Sequence, residues 1–298
     1  MKTAAILTPL NNLVFADLAK ALTMSFMELG WHSMWIGDRD QVREYAKDID
    51  VGIVLTPFDY PNIHKLLPNA IKVYYQLEAL PWPNKIHLNR RKYWRWEERL
   101  ELMQLYDVVF EHDQGNINNH YCYYPFKRPA LYVPIGYSPV FELPKKVAQR
   151  NVALFIGSDS DHPQYTHRNR TLRFLREKLR KRFAICDSRY GDKARQTAKN
   201  CSVLVNIHQN NIPSFESMRI VALGMSNNCF VMTEPCDDLG PFEHLEHLVV
   251  VKHQDMAAEI SFYLNSPWER SRMATNAYNL VKKSYTMTEN LKEAVKQL

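Results

Sequence analysis

The chain has 298 residues, 46% apolar and 23% charged. That argues against wholesale disorder and leaves room for about two domains, or one large one. Only 9 glycines occur, where average usage of about 7% would give roughly 21, which counts against a fold with many Gly-rich phosphate loops. The net charge of +6 suits an anionic substrate, an anionic surface or nucleic acid, and does not choose among them.

In chain order, Ala4–Thr8 reads as a buried strand that ends in a Pro-Leu-Asn-Asn turn. Val14–Leu29 has helical spacing, with Leu18, Leu22, Phe26 and Leu29 on one stripe and Gly30 as its stop. Ser33–Ile36, Val51–Leu55 and Ile71–Tyr75 read as strands, and Val42–Lys47 as a short helix. The spacing predicts a helix over Tyr93–Tyr106, a strand over Asp107–Glu111, a short helix from Ile117 and a strand over Ala130–Pro134. Pro139 to Val147 has linker character.

The rhythm then restarts. Asn151–Ile156 is a strand that ends at Gly157, and a polar loop leads into a basic helix from about Asn169 to Arg182. Phe183–Cys186, Val203–Ile207, Phe230–Thr233 and Leu248–Val251 read as strands, and Gly191–Cys201 as a helix. Ser214 is expected to cap a helix running through Met218 and Val221 to Leu223. Met256–Leu264 and Trp268 to the C-terminus complete the helices. Strand–helix alternation on both sides of a linker predicts two parallel α/β halves with a ligand cleft between them.

Five cysteines, an odd number without a C-x-x-C pair, argue against a disulfide framework or a zinc knuckle, and point to a reduced, cytoplasmic setting. No stretch approaches the roughly 18 apolar residues of a membrane span. Pro9, Asn11 and Asn12 interrupt the first apolar run too early for a signal peptide. No G-x-G-x-x-G follows the first strand, which disfavours a dinucleotide-dependent oxidoreductase.

Gly157 and Ser158 open the loop after the first strand of the second half, and Arg168 and Arg170 stand near the start of the next helix. A tight turn, a helix N-terminus and guanidinium groups together suit a diphosphate; a solvated basic helix explains the same residues. Asp159-Ser160-Asp161 is a D-x-D triplet able to hold a divalent cation, or an ordinary polar loop. The strand ending at Asn206-Ile207-His208 is followed by Ser214, Phe215, Glu216 and Arg219. Glu216 in a first helical turn favours the dipole; it also suits hydrogen bonds from sugar hydroxyls. Lys85 to Trp96 interleaves basic residues with Tyr93, Trp94 and Trp96, which fits nucleic acid, an anionic lipid surface or an amphipathic helix.

Asn151 to about Thr233 resembles the donor half of GT-B-fold glycosyltransferases, in particular the spore-maturation-protein (CgeB-like) type. The matching pieces are Phe155-x-Gly157, Arg168-Asn169-Arg170, Val205-Asn206-Ile207-His208, Glu216-x-x-Arg219 and the strand Cys229 to Glu234. Tyr132 to Tyr137 resembles the family's segment before the interdomain linker, with weaker matches at Tyr74 to Glu78 and Val109 to His112. One departure stands out. The family carries a second Glu a turn or two after the first, and near Ala222 and Leu223 there is no acidic residue.

The resemblance implies an α/β fold of two Rossmann-like parallel-sheet domains facing a central cleft. Residues 1–141 would form the acceptor-side domain and 142–267 the nucleotide-sugar domain, with a C-terminal helix over 268–298 packing back on the first. It implies displacement of a nucleoside diphosphate from a sugar by an acceptor hydroxyl, with no cofactor and no metal required. The acceptor would be a glycan, a small molecule or DNA, and peripheral membrane contact remains open. Gly157, Ser158, Arg168, Arg170, His208, Ser214, Phe215, Glu216 and Arg219 are the expected substrate contacts, with Arg170 also stabilising the departing diphosphate. His112, Asp113 and Glu78 are the expected sources of a base. A phage-type glycosyltransferase acting on modified DNA bases and a catalytically inactive binding module on the same scaffold are the alternatives.

Overall fold

A computed structural model of the chain describes residues 1–78, 101–119, 129–144, 148–160, 165–187, 190–209 and 212–298. The described residues form two compact units, Met1–Ile135 with Met287–Leu298, and Gly136–Thr286.

The first unit is built on β1 (Thr3–Leu7), α1 (Ala16–Glu28), β2 (His32–Ile36), α2 (Arg39–Tyr45), β3 (Val51–Val54), α3 (Ile63–Leu66), β4 (Ile71–Gln76), β5 (Val108–Glu111), α4 (Gln114–Asn119) and β6 (Ala130–Tyr132). Its six strands are all parallel, in the order β2-β1-β3-β4-β5-β6. Thr3–Leu7 is buried along its whole length, as a parallel strand covered on both faces must be, which is why it reads as a continuous apolar run. In α1 the stripe Leu18, Leu22 and Phe26 is fully buried. The helix stops in a Schellman motif, with the Gly30 N–H donating to Met27 O at 3.0 Å and the Trp31 N–H to Phe26 O at 3.0 Å.

The second unit contains β7 (Arg150–Ile156), α5 (Thr166–Leu179), β8 (Phe183–Cys186), α6 (Gly191–Lys199), β9 (Cys201–Asn206), a π-helix (Met218–Gly224), β10 (Val231–Thr233), β11 (Val249–Val250), α7 (Met256–Leu264) and α8 (Pro267–Ser284). Its sheet is also parallel, in the order β11-β10-β9-β7-β8. Alternate residues of its strands go to opposite faces. Ala153, Phe155, Val203 and Val205 pack with Leu172, Leu175, Ile260 and Met273 on one side. Leu154, Ile156, Leu204 and Val231 pack with Ala198, Ile220, Val221 and Val281 on the other.

Counted from its own first strand, the first sheet runs 2-1-3-4-5-6 and the second 2-1-3-4-5. That order reverses between the first and third strands, so the loops there diverge to opposite faces and leave a crevice beyond the strands' carboxyl ends. In the second unit this point lies between β7 and β9, and the loops beginning at Gly157 and Ile207 flank it.

Several local expectations need correction. The basic helix starts at Thr166, which puts His167 and Arg168 in its first turn. Ser214 does not cap the next helix. That helix begins at Met218 after Ser217, and its i→i+5 bonds make it a π-helix. Glu216 lies just ahead of it, its carbonyl accepting the N–H groups of Arg219 and Ile220, each at 2.9 Å. Gly224 closes the π-helix where a Cβ would lie 2.6 Å from Val231 Cγ2. The C-terminal segment is two helices, with α8 in the second unit and α9 (Met287–Val295) in the first. There Thr288 Oγ1 bonds Ser25 Oγ at 3.1 Å, and Asn290 Nδ2 donates to Pro134 O at 3.1 Å.

Most of the Tyr93–Tyr106 helix expectation, Cys122, the linker stretch 145–147 and the basic-aromatic segment Lys85 to Trp96 lie outside the described residues. Cys186, Cys201, Cys229 and Cys236 are free thiols. Among the described residues, no helix is long and apolar enough to cross a membrane.

Candidate functional site

β7 and β9 deliver their carboxyl ends side by side, and one cluster of polar side chains forms there. At its centre is Glu216. Arg219 Nη1 donates both to Glu216 Oε2 and to Asn206 Oδ1. Its Nε donates to Ile156 O at 2.9 Å. One guanidinium therefore joins the end of β7, the end of β9 and the carboxylate. Arg168, 5% exposed, approaches from α5 with Nη2 3.6 Å from Glu216 Oε1 and Nε donating to Ile207 O at 3.3 Å.

Both guanidinium groups lie over the buried Phe155 ring, their central carbons 5.3 Å (Arg168) and 4.9 Å (Arg219) from its centroid. Such cation–π contacts favour desolvated arginines. The Tyr165 ring is also 5.3 Å from the Arg168 guanidinium. Gly157 sits directly beside them at φ +150°, where a Cβ would lie 3.1 Å from Arg219 Nη2 and 3.1 Å from Phe155 Cζ. Only glycine leaves the backbone free to pass this close to the arginine.

His208 adds a titratable group. Its Nε2 lies 2.9 Å from Pro235 O, a carbonyl that can only accept, so Nε2 carries a proton. Its Nδ1 makes no hydrogen bond and faces Glu216 Oε1 at 3.9 Å. Burial opposes a charge on this ring. The Cys236 and Glu216 side chains outweigh it and hold His208 well above the ordinary imidazole range. Glu216 shows the complementary effect. Burial would raise its pKa, but the Arg219 charge, then His208 and Arg168, hold the carboxylate far below the usual range.

Glu234, after β10, extends the network. Its Oε2 accepts the His208 N–H at 2.7 Å, and its Oε1 lies 2.8 Å from His167 Nε2. Burial works against its ionisation, yet His167 and His208 keep it ionised below the usual range.

The structure thus brings Gly157, Arg168, His208, Glu216 and Arg219 together. Arg170 lies two residues beyond Arg168 on α5 and is exposed, since residues i and i+2 do not share a helix face. Ser158 stays in its own loop, its Oγ accepting from Ser160 N at 3.3 Å. Ser214 is buried with its Oγ making no hydrogen bond, and Phe215 stacks on Phe242 at 5.5 Å between centroids. Asp159 pairs with Arg176 at 3.5 Å, while Asp161 lies outside the described residues.

The remaining candidates belong to the first unit. His112 and Asp113 are buried just after β5, and Glu78 follows β4. Asp113 Oδ1 accepts the Gly115 N–H at 2.9 Å, the bond of a residue opening a helix. Glu111 Oε1 accepts from Asp113 N at 3.1 Å and from Asn116 Nδ2 at 3.0 Å, and Asn116 Nδ2 also reaches Glu78 O at 3.1 Å.

Residue type alone does not single out Asn206, Glu234 and His167 as site residues. The available signal was positional: Asn206 and Glu234 stand at or just beyond the carboxyl ends of two buried strands.

The fold these units define is that of the GT-B glycosyltransferases. Residues 167–296 match a family described as glycosyl transferase-like. Sucrose-phosphate synthase from Thermosynechococcus elongatus superposes with a TM-score of 0.66 at 11% identity, covering 100% of this chain and 99% of that one. HepE from Anabaena, in complex with UDP and glucose, gives 0.67 at 11% identity, with 100% and 99% covered. An α-glucosyltransferase in complex with UDP and a 13-mer DNA containing an HMU base gives 0.61 at 12% identity, with 99% and 98% covered. No curated protein sequence matches the chain.

Proposed function

We propose that the protein is a glycosyltransferase that takes its sugar from a nucleoside-diphosphate donor, a UDP-sugar above all, held at the Glu216–Arg219–Arg168–His208 cluster. The carrying observation is that the glycosyl transferase-like match, residues 167–296, contains all four of these residues. They converge at the switch point of the second sheet, where such folds take ligands. HepE was solved with UDP-glucose as well as with UDP and glucose, which makes UDP-glucose the first donor to test. Within this class the residue pattern favours the spore-maturation-protein type.

The chemistry follows from the charges. As the bond from the sugar to the diphosphate breaks, negative charge grows on the leaving oxygens. Cationic groups already held in a water-poor site stabilise that charge without reorganising. Arg168 and His208 supply it, with Arg170 at the outer side of α5. Arg219 is a positioning residue for Glu216, which receives hydrogen bonds from sugar hydroxyls. His112, Asp113 and Glu78 remain the proposed sources of a base for the acceptor hydroxyl. No metal or other cofactor is required by this reading.

The missing second Glu is met by the π-helix. Met218–Gly224 carries no acidic residue, and its wider turn displaces the positions that an α-helix would present. Under this reading either the ribose is held by other groups or the nucleotide contact is reduced.

The test is calorimetric titration with UDP, GDP, ADP, CMP, TDP and their glucose conjugates, followed by detection of released nucleotide. Tight binding of one nucleotide family, lost in Arg168→Met, supports the assignment. Binding of none would leave the inactive binding-module reading.

DNA is the second reading for the acceptor. It is favoured by the net charge of +6 and by the DNA-bound α-glucosyltransferase among the similar structures. Duplex binding that weakens steeply with salt supports it, and no binding at low salt removes it.

A further inference from the structure

Beside the anion cluster, three side chains from separate elements converge on one point. Glu234 is 3% exposed, and the His208 N–H fixes its Oε2 at 2.7 Å. That bond leaves Oε1 facing two imidazoles. His167 places Nε2 2.8 Å from Oε1, and His253, following β11, places Nδ1 4.0 Å from it. The two rings meet edge to face, 5.4 Å apart. The three atoms that would serve as ligands lie within 4.8 Å of one another.

A hydrogen bond between His167 and Glu234 accounts for two of these residues. It does not account for His253, whose side chain is 53% exposed yet leans over the same carboxylate oxygen. Two imidazole nitrogens and one carboxylate oxygen are the donor set of a three-ligand site for Zn2+ and similar divalent transition metals. With metal–donor bonds of about 2.0–2.1 Å, tetrahedral ligand atoms stand roughly 3.3 Å apart. Reaching that spacing needs His167 to withdraw by about half an ångström and the exposed His253 to swing in by about 0.7 Å toward Glu234 and up to about 1.5 Å toward His167. Glu234 is already oriented by a bond to its other oxygen, as metal-binding carboxylates commonly are.

We propose that His167, Glu234 and His253 bind one divalent transition-metal cation, Zn2+ fitting best, with a coordination position left for water or a phosphate oxygen. Binding at this site needs no nucleotide, so it stands apart from the glycosyltransferase reading. Its mechanical link to the anion cluster is short. His167 adjoins Arg168 on α5, and Glu234 holds the backbone of His208. The metal therefore fixes the first turn of α5 and the loop after β9.

The experiment titrates EDTA-treated full-length protein with ZnCl2 by calorimetry, with Co2+ absorption as a second readout. The expected result is one Zn2+ per chain at micromolar affinity or tighter, with Co2+ bands of a four-coordinate nitrogen–oxygen site. His253→Ala changes only an exposed ring outside the anion cluster. It should keep its melting temperature without metal and lose roughly tenfold or more in affinity. Glu234→Gln should lose as much. Unchanged affinity in His253→Ala would place the cation elsewhere, for example at His244 and His247, and overturn the proposal. Failure to bind Zn2+ at all would overturn it too.

Discussion

Arg219 and Glu216, three residues apart, are ion-paired through a guanidinium that also holds the ends of two strands, through Asn206 Oδ1 and Ile156 O. The pair is therefore part of the sheet's carboxyl edge and more than a local helix contact. The pair is part-buried, and removing one partner leaves the other charge uncompensated, at a cost of up to about 3 kcal/mol. Glu216→Ala would leave Arg219 and Arg168 facing each other without the carboxylate.

Glu216→Gln is the cleaner probe, because it keeps the shape while removing the charge and turning one acceptor oxygen into a donor. We expect a loss of stability of about 1–3 kcal/mol in chemical denaturation. Under the glycosyltransferase reading, turnover should fall by roughly a hundredfold or more. Full turnover in a folded Glu216→Gln protein would remove Glu216 from the donor site.

Arg219→Lys tests geometry with charge preserved. Lysine cannot present three directed donors to Glu216, Asn206 and Ile156 at once. The variant should lose about 2 kcal/mol or more of stability. Its charge should not rescue nucleotide affinity, read by calorimetry against wild type.

The pH dependence follows from His208. Its folded pKa is raised above 6.5, so its contribution to stability is complete below that value and disappears as pH climbs through the folded pKa. Glu216 has a lowered pKa, so its contribution is complete above the ordinary carboxylate range and fails only in strong acid. Denaturation midpoints measured from about pH 6 to pH 10 should decline on the alkaline side. His208→Gln should flatten that decline. An alkaline slope identical in the variant would show that another group causes it.

Gly157→Ala forces a Cβ into the space beside Arg219 Nη2 and Phe155 Cζ, at a backbone angle that L-residues rarely adopt. The expected cost is about 1–3 kcal/mol. The crowding acts on Arg219, so nucleotide affinity should drop further than the stability loss alone explains. Thermal shift with and without UDP separates the two effects.

Asn227 offers a test of the fold that is independent of function. It is 2% exposed; its Nδ2 donates to Phe141 O, Ala222 O and Leu223 O, and its Oδ1 accepts the Leu143 N–H. It fastens the segment that enters the second unit to the end of the π-helix. Asn227→Ala should cost about 3 kcal/mol, measured by denaturant titration, because several buried groups lose their partner together.

Much of this molecule is legible along the chain, because a parallel strand buried on both faces must be continuously apolar. Ala4–Leu7, Val51–Leu55 and Val203–Val205 lie in such runs, and their alternation with amphipathic segments is enough to state two parallel α/β halves. The same logic flags Gly157, Arg168, His208, Glu216 and Arg219, since polar residues just beyond buried strands face a ligand crevice. Ser214 does not cap the helix because cap chemistry is only a local preference. The π-helix that starts after Ser217 is set by packing of Ile220, Val221 and Gly224 on the sheet, which no local rule contains.

Composition and periodicity by themselves determined most of the strands, several helices and the alternation of two α/β halves, because burial dictates those patterns residue by residue. Only the tertiary structure decided which charges meet. Arg168 turns inward while Arg170 faces water because their helix phase is fixed by packing on Phe155. His167, Glu234 and His253 converge although up to 86 positions separate them along the chain (253 − 167). Strand order, a property of the folded sheet, brings those ends together.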